Sequence, residues 1–578
     1  MEKIIIRNIR IEFNIFVDFL FDIETVSEHM LKNKTDYQSK TQYLLTKGYI
    51  ERLKDLFYLL NLNYTNEDSL ITLNYQNCDG VNILLRGAIE SVIIMKLLLE
   101  NDVNLYKKYY DQIDLDKNNI VSKFNGKSKY FRKFNSQNND IYNNFEWASS
   151  IVKSKFITIP LLIKATNYDD FKKAYYLNEI MFNNNLSHPN LKNDSVILDG
   201  LFGSGNVNEI LYFFEIITTL SHDLIENLKT FDIKQNNGEH LALIAKVNLP
   251  LVNTNYSLLL KQKGYKTTNI SDRTKILLKI RTKEYNTLIS SADSIQSNIM
   301  LFSTIALAGI RDSNPRQYKT LNKYSESMML NFQELIIAFE KGKSLIFFTK
   351  LRYVLELIAT IDILLDFDEE QMEMYQVHTD IRSVSAWNKI PEILKSYYKE
   401  IGYIDKDPLK IIVSHNDKNI TINKRYLDDL KYLNNFYTTR YKMCLKNNYA
   451  KNVNGWAVNI VEKSNESPSN LKIELNFIKN NSLELSDSDN ENMSDIIRGL
   501  SALTSSYCHT TAYSMNDLEK SDDALYIKES YYYLIKILKI FNDKCKRKFP
   551  ILKKIESHYY NNIDQLLKKF EDYVIKNS

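Results

Sequence analysis

The sequence predicts an all-α protein made of two duplicated helical bundles in tandem, joined by a helical connector. Gly and Pro are scarce, since 14 Gly and 8 Pro in 578 residues are about 4% of the chain, where about 12% is typical. Sheet-rich folds need many tight turns built from these two residues, so a mostly helical chain is favoured. Apolar residues also recur at helical spacing, and one set of landmarks occurs twice in the same order.

The predicted elements fall into four segments. In chain order these are an N-terminal segment (1–35), a first helical repeat unit (36–240), a helical connector (241–319) and a second helical repeat unit with a C-terminal helix (320–578). The β-branched run 3–13 predicts a short strand. Amphipathic spacing predicts a helix at about 39–62 and a corresponding one around 330–339. The connector contains its own apolar segment, 299–308.

The first repeated landmark is an Arg followed four residues later by a Glu inside an apolar run. It occurs as Arg86 and Glu90 in the first unit and as Arg352 and Glu356 in the second. A Tyr follows the Arg at the same distance in both units, at Tyr109 and at Tyr375. The equal spacing without a gap indicates an internal duplication.

Two further landmarks keep their order in both units. A Trp-Ala dipeptide occurs at Trp147 and at Trp456, and a His before a last long helix occurs at His188 and at His509. The second unit is longer between Trp and His, and the polar run 486–491 accounts for this as a solvated insertion.

These residue types could form a chemical site in each unit. Residues four apart share one face of a helix, and a charged pair inside an apolar helix costs several kcal/mol of desolvation per ion, so it needs a reason to be there. A His exchanges protons near neutral pH. We therefore expect one site from Arg86, Glu90 and His188, and a second from Arg352, Glu356 and His509. The other interpretation is that the ion pairs only hold the bundles together.

The order of these landmarks resembles a bacterial helical family known as domain of unknown function 5677. Such families are in turn distantly similar to HEPN domains, many of which are metal-independent ribonucleases in toxin and anti-phage systems. If the protein is such a nuclease, we expect His188 or His509 to act as base for the ribose 2′-hydroxyl, the Arg to offset phosphorane charge, and the Glu to orient the Arg or the His. The chain departs from the HEPN signature, because no Arg is followed by His five positions later.

Net charge and the positions of the cysteines limit which binding partners and metal sites are expected. With 75 Lys and Arg against 71 Asp and Glu, the chain is too balanced to coat nucleic acid non-specifically. The four cysteines are far apart, which argues against disulfides and a zinc site, so we expect no cofactor or metal and a cytoplasmic protein. No segment has the length and apolarity of a membrane span.

Two functions follow as hypotheses. The first is an intracellular bacterial defence-type effector or sensor that acts on RNA, as a metal-independent HEPN-like ribonuclease. The alternative is a non-enzymatic helical interaction or regulatory protein that binds a protein partner.

Overall fold

The computed structural model describes most of the two predicted units. The described residues are 2–62, 78–128, 144–154, 156–186, 206–249, 307–376, 378, 394, 396, 410–415, 418–423, 454–457, 461, 469–481, 487–520, 523–550 and 552. We call residues 2–249 the first half and residues 307–552 the second half. The connector is described only at its ends. Of its apolar segment, 299–308, residues 299–306 lie outside the described residues.

The helices of the first half are α1 (Glu2–Ser27), α2 (Tyr37–Leu62), α3 (Cys78–Glu100), α4 (Asn104–Phe124), α5 (Ile159–Ala165), α6 (Asp170–Leu186), α7 (Asn206–Asn236) and α8 (Leu241–Ile244). Those of the second half are α9 (Pro315–Glu340), α10 (Ser344–Leu364), α11 (Asn470–Asn480), α12 (Asp487–Cys508), α13 (Ala512–Lys520) and α14 (Asp523–Lys548). Short 3-10 turns cover Glu146–Ala148, Leu307–Ile310 and Gly455–Ala457, and a π-helical turn covers Glu28–Lys32.

The predicted all-α class is confirmed. The described part of the chain is helical apart from one antiparallel hairpin, in which β1 (Lys410–His415) pairs with β2 (Lys418–Asn423). No helix within the described ranges is long and apolar enough to cross a membrane.

The predicted N-terminal strand is wrong, because residues 2–27 form α1. The β-branched run leads directly into Phe16, Phe19, Leu20 and Ile23, which are fully buried at helical spacing. Most helical stability comes from packing an apolar face, so burial of this face outweighs the local β propensity.

In each half, one helix packs against at least three others. In the first half α3 packs against α2, α6 and α7, and in the second half α10 packs against α9, α11 and α14. Every residue of α10 except Arg352 is buried, as expected for a helix enclosed on all sides. Helices α3 and α10 also contact each other, so the two Arg-x-x-x-Glu helices pack together.

The repeated aromatic landmarks make matching contacts. Tyr109 meets Trp147 edge to face with ring centroids 5.3 Å apart, and Tyr375 meets Trp456 in the same way at 4.9 Å. Both Trp residues lie in short 3-10 turns. The contacts agree with the landmarks derived from the sequence, while the duplication as a whole stays a prediction.

One segment of the second half reaches the first half. Helix α12 packs against both α10 and α4, and α13 packs against α4 and α2. Residues 487–491 of the predicted solvated insertion begin α12, and the insertion itself stays a prediction. Acidic residues at a helix N-terminus interact favourably with the helix dipole, so this run suits the start of a helix. The α12–α13 connection carries His509.

Candidate functional site

The first predicted ion pair forms within α3. Arg86 Nε donates to Glu90 Oε1 at 2.9 Å, one helical turn away as its spacing requires. The side chain of Glu90 is fully buried, and that of Arg86 is 10% exposed. Burial alone would raise the pKa of Glu90, but the charge of Arg86 and the hydrogen bonds that Glu90 accepts lower this pKa to about 2. Glu90 is therefore a carboxylate at neutral pH.

The turn between α12 and α13 places His509 on this pair. Arg86 Nη2 donates to His509 Nδ1 at 2.7 Å, and Glu90 Oε1 lies 3.4 Å from the same ring nitrogen. The next residue secures the turn, because the Thr510 backbone N–H donates to Glu90 Oε2 at 2.8 Å and the Thr510 hydroxyl donates to the Gly87 carbonyl at 2.8 Å. The first-half ion pair and the second-half His thus form one cluster.

Local capping explains why the chain turns here. Thr511 precedes the first residue of α13, and its hydroxyl accepts a hydrogen bond from the Ser514 backbone N–H at 3.3 Å, as an N-cap does. At the end of α12, Tyr507 stacks on Phe348 of α10 with ring centroids 4.2 Å apart. The turn is therefore held by a cap on one side and by an aromatic contact on the other.

A second arginine, Arg52 of α2, hydrogen-bonds to backbone carbonyls of the turn. Its Nη2 donates to the carbonyls of Tyr507 at 3.4 Å and His509 at 3.3 Å. The residue is 1% exposed, and burial lowers its pKa to about 10, so it stays charged. It fits there because Gly87 has no Cβ: a Cβ at this position would lie 2.0 Å from Arg52 Nε.

The imidazole of His509 is neutral at neutral pH. Burial disfavours its charged form, and so does the charge of Arg86, so its pKa falls to about 4 although Glu90 opposes the shift. The side chain is 20% exposed. A neutral imidazole with partial access to solvent can accept a proton, but a pKa of about 4 makes it a weaker base at neutral pH than an unshifted histidine.

The second predicted ion pair forms within α10. Arg352 Nε donates to Glu356 Oε1 at 3.0 Å, and the amide of Asn470 in α11 donates to the same oxygen at 2.8 Å. The Arg352 side chain is 22% exposed, about twice the exposure of Arg86. Both arginines lie close enough to the buried thiol of Cys508 to lower its pKa, against a larger rise caused by burial.

Glu474 adds a buried acid beside this pair. It is 3% exposed, and its Oε2 has no hydrogen-bond partner in the described part of the chain. Burial and the charge of Glu356 raise the pKa of Glu474 well above its usual value, with Arg352 opposing. This shift favours the protonated form of the Glu474 carboxyl. Titratable groups whose pKa values are pushed apart are typical of acid–base sites.

Two expectations for the histidines have different outcomes. His188 lies outside the described residues. The grouping of His509 with Arg352 and Glu356 is corrected, because the ring of His509 accepts a hydrogen bond from Arg86 and lies next to Glu90 in the other half. Sequence order assigned His509 to the nearer ion pair, whereas the packing of α12 across α4 brings it to the other one.

Sequence reasoning missed Arg52, Asn470 and Glu474. The sequence does carry a signal for Arg52 and Glu474, because each of these charged residues interrupts the apolar face of its helix. Arg52 lies between Tyr49 and Leu56 in α2, and Glu474 precedes the buried Ile478 by one turn in α11. Within the described ranges, no group of three His, Cys, Asp or Glu side chains is arranged to hold a metal ion.

Comparison of the chain with protein-family models, with curated proteins and with solved structures gives no match. The resemblance to the helical domain family therefore stays a prediction that depends on the repeated motifs.

Proposed function

We propose that this protein is an intracellular defence-type effector that cleaves RNA without a metal ion. One observation carries the proposal: a neutral, partly exposed imidazole, that of His509, lies against Arg86 and within the electrostatic influence of Arg352. This is the set of groups that metal-independent cleavage of a phosphodiester needs, namely a base for the ribose hydroxyl and fixed positive charge for the phosphate.

The reaction would proceed by attack of the neighbouring hydroxyl. The ribose 2′-hydroxyl replaces Arg86 as the donor to the imidazole, His509 takes its proton, and the 2′-oxygen forms a bond to phosphorus. The bond from phosphorus to the 5′-oxygen breaks, that oxygen takes a proton from water, and the hydroxide that remains takes the proton back from His509. Arg86 and Arg352 offset the charge of the phosphorane, and Glu90 orients Arg86. The products are a cyclic phosphate and a 5′-hydroxyl.

The test is cleavage of labelled RNA by the purified protein in the presence of a chelator. We expect a cyclic phosphate product and a loss of about 100-fold or more for His509→Gln, the contribution typical of a general base. His240→Gln is the matched control, since His240 also contacts a carboxylate, with its Nδ1 2.8 Å from Asp232 Oδ1, and lies outside the cluster. Undiminished cleavage by a variant carrying both His188→Ala and His509→Ala would contradict the proposal.

A second function, a non-enzymatic regulatory protein that binds a protein partner, is favoured by the burial of Glu90. This carboxylate has no exposed surface and bonds only to groups of the protein, including the Thr510 backbone from the other half. In a regulatory protein, this cluster of buried charged groups would serve to hold the two halves together. Removing one member of a buried pair typically costs about 3–5 kcal/mol, so in this case Arg86→Ala and Arg352→Ala lower the melting temperature and the wild-type protein cleaves no RNA.

A further inference from the structure

A polar cavity lies where the two halves meet. Its volume is about 320 Å³, and its walls come from α4 and Asn144 of the first half and from α12 and the following turn of the second half. This volume is at the lower end of the range of small-molecule sites, which is about 300–1,000 Å³. The cavity therefore suits a ligand with a single sugar-sized ring, and it is complete only while the two halves are in contact.

Four polar side chains of the cavity wall are not engaged with the protein. They line the cavity without a side-chain hydrogen bond or ion pair to any other group in the described part of the chain, and they are Asn119, Lys123, Asn144 and Ser505. Lys123 is exposed, whereas the other three are half-buried. Half-buried polar groups are normally hydrogen-bonded, so these side chains are available to a polar ligand that replaces water.

Other polar groups of the wall bond to the protein and fix the shape of the cavity. The Asp116 carboxylate accepts from the Gln112 amide at 2.9 Å and from the Tyr513 backbone N–H at 3.1 Å. The hydroxyls of Ser506 and Thr511 hydrogen-bond to each other at 2.6 Å. The four unengaged side chains are thus carried by a preformed frame, which lowers the entropic cost of binding a ligand.

The unengaged groups indicate the chemistry of the ligand. An amide both donates and accepts hydrogen bonds, as a hydroxyl does, so Asn119, Asn144 and Ser505 match a ligand with several hydroxyl groups. The ammonium group of Lys123 suits a phosphate. Lys123 follows the buried Asp116 by about two helical turns along α4, so a phosphate at Lys123 is kept away from the carboxylate.

We propose that this cavity binds a sugar phosphate, with its hydroxyl groups at the two amides and Ser505 and its phosphate at Lys123. The ligand contacts both halves, so it binds only the arrangement in which they are in contact. Its binding free energy is then added to the stability of that arrangement. The cavity is a regulatory site separate from the cleavage of RNA, and binding of the ligand does not depend on that function.

The regulatory effect follows from the position of His509 in the chain. Ser505 and Thr511, on either side of His509, both line the cavity. The His509 backbone N–H donates to the Ser505 carbonyl at 3.0 Å. A bound ligand therefore orders the turn that brings His509 to Arg86.

The first experiment measures binding by calorimetry, with ribose 5-phosphate, fructose 6-phosphate and glucose 6-phosphate as probes and inorganic phosphate as the reference. We expect at least one sugar phosphate to bind about tenfold or more tightly than inorganic phosphate, because its hydroxyl groups add hydrogen bonds. Failure of all three probes to bind overturns the site. Binding no tighter than that of inorganic phosphate shows only an anion at a lysine, and overturns it too.

Two pairs of variants locate the binding in the cavity. Asn119→Leu removes an amide and fills the cavity, and Lys123→Ala removes a surface charge without an effect on folding; each weakens binding by about tenfold, the loss of one hydrogen bond to a charged or polar group. The matched controls are Asn118→Leu and Lys108→Ala, because these residues of the same helix do not line the cavity, and they leave binding unchanged. Equal binding by wild type, Asn119→Leu and Lys123→Ala overturns the site.

Hydrogen exchange tests whether the ligand orders the turn. At a concentration about 100 times Kd, we expect the amides of residues 505–511 to exchange about tenfold or more slowly, because an opening that breaks the cavity must release the ligand. Unchanged exchange in this segment, with the ligand bound, overturns the regulatory role.

A cleavage assay separates this site from the proposed function. Sugar phosphate binding as expected in a protein that cleaves no RNA supports the site and contradicts only the cleavage. Displacement of the bound sugar phosphate by short RNA shows that RNA occupies the cavity, and overturns a separate regulatory site.

Discussion

Replacement of Gly87 by Ala tests whether Arg52 holds the His509 turn in place. The new Cβ would lie 2.0 Å from Nε and 2.6 Å from Cδ of Arg52, and a side chain that is 1% exposed has no free space to move into. Overpacking of this kind costs about 1–3 kcal/mol. A displaced Arg52 also loses hydrogen bonds to the carbonyls of Tyr507 and His509, and bonds made by a charged group contribute about 1.5–3 kcal/mol each.

The helix itself gains from the same change, since Ala is more favourable than Gly in a helix interior by about 1 kcal/mol. The net expectation for Gly87→Ala is a loss of about 3–8 kcal/mol, a large share of the roughly 5–15 kcal/mol that is typical of a folded domain. Denaturant unfolding measures the loss. Hydrogen exchange locates it, because the amides of residues 505–515 exchange faster while those of the outer helix α1 do not change.

A double-mutant cycle supplies the control. Once Arg52→Ala has removed the clashing side chain, Gly87→Ala becomes neutral or stabilising by up to about 1 kcal/mol, so its effect changes sign. The same loss for Gly87→Ala in both backgrounds, or stabilisation in the presence of Arg52, would refute the reasoning, because the turn would then not depend on this contact.

The remaining predictions concern titration and the repeat. The pKa of His509 falls from 6.5 to about 4 on folding, so the unfolded chain binds a proton at a higher pH than the folded protein does. The free energy of unfolding therefore drops by about 3 kcal/mol as the pH falls from 6.5 to 4. Denaturant unfolding at several pH values shows this slope, and His509→Gln removes it. The raised pKa of Glu474 changes stability with pH in the opposite direction, because the folded protein keeps a proton that the unfolded chain releases above about pH 4.5. Glu474→Gln is therefore more stable than wild type at about pH 8. A variant less stable than wild type would contradict the raised pKa. Trp147→Ala and Trp456→Ala each cost about 3–5 kcal/mol, because both rings make the same contact with a Tyr; calorimetric losses that differ by more than about 2 kcal/mol would speak against equivalent halves.

Much of the helical architecture could be predicted because the pattern that causes it is local. The apolar spacing around Leu53 and Leu56 places α2 within residues 39–62, and the apolar run around Arg352 indicates a helix enclosed on all sides. The ion pairs of α3 and α10 also follow from spacing alone, since four residues are about one helical turn. The run 3–13 misled the prediction because its β-branched residues continue into a helix whose burial is decided further along the chain.

The sequence by itself determined most of the helices and the two Arg–Glu pairs, since these depend on residues close together in the chain. Only the tertiary structure decided that His509 joins Arg86 and Glu90, that Arg52 reaches beneath its turn, and that Glu474 lies beside Glu356. The physical reason is distance along the chain. Residues more than 400 positions apart, such as Arg86 and His509, meet because α12 buries its faces against helices of both halves, and the pKa shifts of the cluster arise only from the burial and charges that this packing creates.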